Sequence, residues 1–163
     1  MRIGILVLLA ATAVVVDASL SPEIEIAGSR PDFLVLLVAY ASLLVGTRPA
    51  TIAGFLVGLV ADSESPEYLG LHALALSVVG YVTGGAWDHL VRGNVLVQCA
   101  VIFGASLLHD VIYYVVYYRN HLDMLGPFLL RYGMPGAAYT AVFGAVIFLF
   151  ASARGWRSIA HDA

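Results

Sequence analysis

Six apolar stretches follow one another along the chain, separated by proline, glycine or charged residues, and this succession leaves few folds open. A helix that crosses a bilayer needs about 20 mainly apolar residues. Six of them occupy most of a chain of 163 residues and leave only short connections. Composition agrees: 61% of the residues are hydrophobic and 12% are charged, against about 25% charged in ordinary soluble domains. The expected fold is all-α, a polytopic membrane helix bundle of six transmembrane helices forming a single integral membrane domain over residues 1–163. Cys99 is the lone cysteine, which excludes an intrachain disulfide framework and a thiolate metal cluster. A net charge of −3 without a basic stripe excludes a nucleic-acid surface.

The spans are read as Ile3–Leu20, Pro31–Gly46, Pro49–Asp62, Pro66–Trp87, Val95–Tyr118 and Met134–Ala153. The first resembles a signal peptide at its start, with Val16-Asp17-Ala18 as a cleavage-like site, but an uncleaved span suits a protein that stays in the membrane. The third is short. Its residues make about 21 Å of helix against a hydrocarbon layer near 30 Å, which suits a sunken helix sheltered by neighbours. With the N-terminus inside, five arginines (Arg2, Arg48, Arg92, Arg154, Arg157) fall on the cytoplasmic side and three (Arg30, Arg119, Arg131) outside. Both termini are therefore expected in the cytoplasm.

Ionisable groups inside a membrane are costly, about 2.5–3.5 kcal/mol at mid-span on an insertion scale, so each needs a reason. In this orientation Asp17, Asp32, Asp62, His72, His109 and Asp110 gather in the outer half, which points to a polar vestibule opening outward. Ser29-Arg30-Pro31-Asp32 also reads as a helix cap, with Ser29 at N-cap and Pro31 at the first helical position. Asp62 ends a helix, where the dipole disfavours an anion. It belongs either to a turn with Ser63 and Ser65 or to a site. His72 suits a hydrogen bond across helices. Asp110 lies too deep for a short side chain to reach the interface and is expected to face protein or water.

Gly54, Gly58 and Asp62 share one helix face, as do Gly80 with Gly84, and Gly136 with Thr140 and Gly144. Such faces let backbones approach closely. Tyr113, Tyr114, Tyr117 and Tyr118 form an interfacial aromatic belt. The stretch Leu122–Leu130 is too apolar for a free loop and too short to span, and is read as an interfacial or re-entrant segment. Phosphate loops, paired metal-binding histidines and nucleophile elbows are absent from the sequence. Asp62 and Asp110 alone are weak grounds for catalysis.

Three runs together carry a resemblance: Arg30-Pro31-Asp32, then Gly54-Phe55-Leu56-Val57-Gly58-Leu59-Val60-Ala61-Asp62, then Leu69-Gly70-Leu71-His72-Ala73-Leu74. With Asp110-Val111-Ile112-Tyr113-Tyr114 they closely resemble the rod shape-determining protein MreD family, across essentially the whole chain. That resemblance implies a multi-pass protein of the bacterial cytoplasmic membrane and a non-catalytic scaffold of the elongasome, without a cofactor. It would bind an MreC-like protein and, indirectly, a RodA-type glycosyltransferase and a class B penicillin-binding protein. Pro31, Asp32, Gly54, Gly58, Asp62, His72 and Asp110 are the residues expected to bind a partner or to act as structural polar groups. The family is also similar in fold to the S components of energy-coupling-factor transporters, and the alternative function is a vitamin-binding S component. Trp87 and Trp156 lie at the cytoplasmic ends, away from an outer pocket, which favours the scaffold.

Overall fold

The computed structural model describes residues 30–63, 69–90, 94–119 and 122–153, all of them in helices, turns or short connections. The expected first span, Ile3–Leu20, lies outside the described residues. Helix α1 covers Phe33–Val45, α2 Thr47–Asp62, α3 Leu71–His89 and α4 Val95–Tyr117. A 3-10 turn at Leu122–Met124 then leads into α5 (Leu125–Phe128), a π turn (Leu129–Gly133) and α6 (Met134–Ala153).

Two helical runs, Val95–Tyr117 and Leu125–Phe150, are long and apolar enough to cross a membrane by themselves. The 13 residues of α1 make only about 20 Å of helix. It is nonetheless the best buried. Leu34, Val35 and Val38 pack with Val57, Leu76, Val79 and Ala105 on one side. Leu36 and Ala39 pack with Ile102 and Ala141 on the other. A helix apolar all round belongs in the middle of a bundle, and α2, α3, α4 and α6 enclose this one.

Backbone geometry sets the helix boundaries. Gly46, at φ +82°, lets α1 stop and α2 start without a loop. Pro49 falls in the first turn of α2, where its missing N–H has no partner to lose. Gly70, at φ +101°, fixes the start of α3 at Leu71, five residues later than the Pro66 expected from apolarity. Ser29, expected as the first cap, lies outside the described residues. The cap of α1 is Asp32, three residues later, because Asp32 is extended and its Oδ1 accepts the Val35 N–H at 2.8 Å.

Leu122–Leu130 differs most from expectation. It is helical and runs directly into α6, with Met124 and Leu130 exposed. Pro135 would crowd a regular turn before it. The wider π turn over Leu129–Gly133 takes up that conflict and keeps the helix continuous.

Two of the three small-residue faces form the contact between α2 and α3. A Cβ placed on Gly54 would overlap the Leu76 carbonyl, and one on Gly58 would overlap the Ala73 backbone. In the other direction, a Cβ on Gly80 would come within 2.6 Å of the Ala50 oxygen and one on Gly84 within 2.5 Å of Thr47 Cα. Backbone cannot give way as a flexible side chain can, so four glycines hold the two helices together by their absence of side chains. Gly58→Leu is therefore expected to cost more than the usual 1–3 kcal/mol or so of an overpacked core. Gly104 has open space around it, so Gly104→Leu serves as a control. Thermal unfolding in detergent should show a large drop for the first and little change for the second.

Candidate functional site

The polar side chains gather where α2 hands over to α3. Asp62 ends α2 and is fully buried, at 0% exposure. Its carboxylate accepts the backbone N–H of Gly70 at 2.8 Å, of His72 at 3.0 Å and of Ala73 at 3.1 Å. His72 Nδ1 completes the set at 2.9 Å from Oδ1. The N-cap of α3 is a glycine with no side chain to offer. Asp62 supplies the missing acceptor from eight residues upstream, and the positive end of α3 offsets the penalty of placing an anion at the end of α2. The expected turn with Ser63 does not involve this carboxylate; the Ser63 hydroxyl donates to the Val60 carbonyl instead.

A second group lies beside the first. Asp32 Oδ2 is 3.0 Å from His109 Nδ1, and Asp110 Oδ1 is 3.8 Å from the same nitrogen. The Asp32 N–H donates to Thr140 Oγ1 at 3.0 Å, which ties the start of α1 to α6. Tyr113 bridges the two groups: its ring lies 4.7 Å from that of His72 and 6.3 Å from that of His109. Asp32, Asp62, His72 and Asp110 are thus brought together from four helices, three of them at helix ends and Asp110 from within α4. Gly54 and Gly58 are not part of this group; they lie in the α2–α3 contact. Pro31 is buried at its edge and lines the space it encloses.

That space has two lobes. One of about 430 Å³ lies between α4 and the last helix, with Ser106, Tyr114, Phe128, Tyr132 and Gly133 among its lining. The other, of about 330 Å³, lies between α1 and α4 and is lined in part by His72, His109 and Tyr113. Arg30, Asp32, Asp110 and Tyr114 line both. The sequence named His109 among the outer polar groups and Thr140 on a small-residue face, but gave neither of them its partner, Asp32. The adjacency of His109 to Asp110 was the available signal, since two successive ionisable residues in an apolar run both need partners. Among the described residues, no group of three histidine, cysteine or acidic side chains converges as a metal site.

The sequence pattern of one protein family, described as rod shape-determining protein MreD, matches residues 1–153. The chain belongs to the MreD family. It is therefore a bacterial membrane protein of the rod-shape system, and the MreD match covers every helix described above. No curated relative and no solved structure matches the chain.

Removing the Asp62 carboxylate should uncap α3. Asp62→Leu leaves three buried N–H groups without an acceptor, each worth about 1–3 kcal/mol, so the bundle should lose several kcal/mol. Asp62→Asn keeps one acceptor oxygen and should cost less, on the order of 2 kcal/mol, near the upper end for a lost cap. Hydrogen exchange at Gly70, His72 and Ala73 in the purified variants checks this. Unchanged protection in Asp62→Leu would remove the capping role.

Proposed function

We propose that this chain is a non-catalytic scaffold of the elongasome that holds an MreC-like protein by its membrane helix. Through that protein it would support a RodA-type glycosyltransferase and a class B penicillin-binding protein in cell-wall synthesis. Family membership supports the setting. The observation that carries the reading is how the polar groups are used. Asp62 with His72, and Asp32 with His109, fasten helices to one another, and among the described residues no nucleophile, base and oxyanion donor face a common reacting position. A rigid polar end on a bundle with apolar sides suits a partner made of a membrane helix and an external domain.

In this reading Ile3–Leu20 makes the sixth span and both termini lie in the cytoplasm, so the Asp62–His72 end faces outward. Gly54 and Gly58 serve the scaffold indirectly, by keeping α2 against α3. Pro31, Asp32, Asp62 and His72 keep the outward end in shape, and Asp110 stands nearest to a docked partner. The vitamin-carrier alternative draws no support from the family match.

Co-expression with a candidate MreC-like partner, followed by purification in detergent and native mass spectrometry, tests the proposal. A stable complex without a small ligand is expected. Asp110→Asn, which keeps shape and hydrogen bonding, should leave complex yield within about twofold, whereas Asp110→Leu should lower it by about tenfold, one to two hydrogen bonds' worth. Normal complexes from both variants with loss of synthase activity in a reconstituted system would give the carboxylate a role that a scaffold does not have. Reporter fusions after Arg2 and Arg157 should both read cytoplasmic, and an external C-terminus would overturn the six-span topology.

A further inference from the structure

Of the three carboxylates at this end of the bundle, two are accounted for. Asp62 has four donors. Asp32 has the Val35 N–H on one oxygen and His109 beside the other. Asp110 is different. Its side chain is 23% exposed, and the closest charged partner, His109 Nδ1, stands 3.8 Å away, beyond hydrogen-bond distance. His109 is itself incompletely used. Its side chain is 91% withdrawn from solvent, Asp32 is near but off the line of the ring N–H, and Nε2 meets no hydrogen-bond partner. A carboxylate and an imidazole with unmet capacity therefore line the same two-lobed hollow.

The chemistry of the hollow selects a cation. Asp32 and Asp110 are balanced in sum by Arg30 and by the imidazole once it is protonated, so the demand is local: Asp110 is the acceptor on this lining left without a donor. A metal ion does not fit, because the described ligands nowhere converge in a set of three. An organic cation does. Tyr114, Phe128 and Tyr132 wall the larger lobe as one packed aromatic cluster, in which the Arg131 guanidinium already lies over the Tyr132 ring at 5.7 Å. Aromatic faces attract ammonium and guanidinium groups, by about 2 kcal/mol when desolvated. Gly133 in the π turn keeps the approach clear: a Cβ there would lie 3.4 Å from Asp110 Oδ2.

The level of the hollow names the source. Tyr113 and Tyr114 on its lining stack with Tyr117 and Tyr118, and aromatic belts of this kind lie at the depth of lipid headgroups. Arg30 lies on the lining of both lobes, where a phosphate beside the cation would meet a guanidinium. We propose that this hollow is a binding site for a phospholipid with a primary-ammonium headgroup, the ammonium between Asp110 and Asp32 and the phosphate toward Arg30. The lipid would fill the space between α4 and the last helix and fix the depth of the polar end in its leaflet. The site stands whether or not a protein partner docks on the same end of the bundle.

The experiment compares headgroups on the intact protein. Wild-type protein in mild detergent receives dioleoyl phosphatidylethanolamine, phosphatidylcholine or phosphatidylglycerol in turn, and native mass spectrometry counts what is retained. Phosphatidylcholine carries the same charge but has no N–H to donate, so it isolates the hydrogen bonds. Phosphatidylethanolamine should be held about tenfold more tightly than either of the others, the difference made by one charge-assisted hydrogen bond. Asp110→Asn should abolish that preference, while Gly104→Leu, on an open face, should retain it. Equal retention of the three lipids by wild type would mean ordinary annular lipid and would overturn the proposal, whatever the variants do. Flat lipid retention together with a lysine- or arginine-bearing partner segment that binds wild type and not Asp110→Asn would overturn it equally, assigning the cation to a protein.

Discussion

Asp62 sits where two requirements meet that neither helix satisfies alone. The glycines of α2 and α3 bring the two backbones into contact, so the chain must turn back on itself within a short connection. At that turn the last carbonyls of α2 and the first N–H groups of α3 lie outside the intrahelical ladder and need partners. One carboxylate accepts three of those N–H groups and a histidine besides. Much of the polar end follows from it. His72 is held in place by Asp62, Tyr113 packs on His72, and α4 thereby presents His109 to Asp32 at the start of α1.

Elsewhere hydroxyl groups do the same work on a smaller scale. The hydroxyls of Ser42 and Thr83 lie 3.0 Å apart between α1 and α3, each also within 2.7 Å of a carbonyl in its own helix. Trp87 Nε1 donates to the Ala39 carbonyl at 3.2 Å, and the Tyr40 hydroxyl to the Gly144 carbonyl at 2.6 Å. These bonds join α1 to α3 and α6. In lipid the hydrophobic effect does not press helices together, so close packing and such cross-helix bonds hold the bundle. They also explain how α1, too short to cross a bilayer, keeps its place: its neighbours supply both the packing and the partners.

The helical stretches were legible in the sequence because apolar runs and their breakers carry that information locally. The helix from Val95 matched to within a residue at its far end, and Met134–Ala153 matched throughout. The errors fell where a boundary depends on something distant. The start of α3 is decided by Gly70 and by a carboxylate on the preceding helix. The cap at Asp32 is reinforced by Thr140 and His109, more than seventy residues on. The stretch before α6 is helical because a π turn absorbs the conflict at Pro135, and no local pattern announces a π turn.

By itself, then, the sequence determined the solvent, the helices and the family. Apolar run length, scarcity of charge and short runs such as Gly54 to Asp62 are local properties, readable without a fold. It also marked Asp32, Asp62, His72 and Asp110 as residues needing a reason, since lipid makes every ionisable group expensive. Only the tertiary structure decided what each one does. It made Asp62 a cap for the next helix, turned Gly54 and Gly58 inward, brought His109 and Thr140 to Asp32, and left Asp110 facing a hollow. The physical reason is that a partner is a matter of distance and direction between helices, and those are set when the bundle packs.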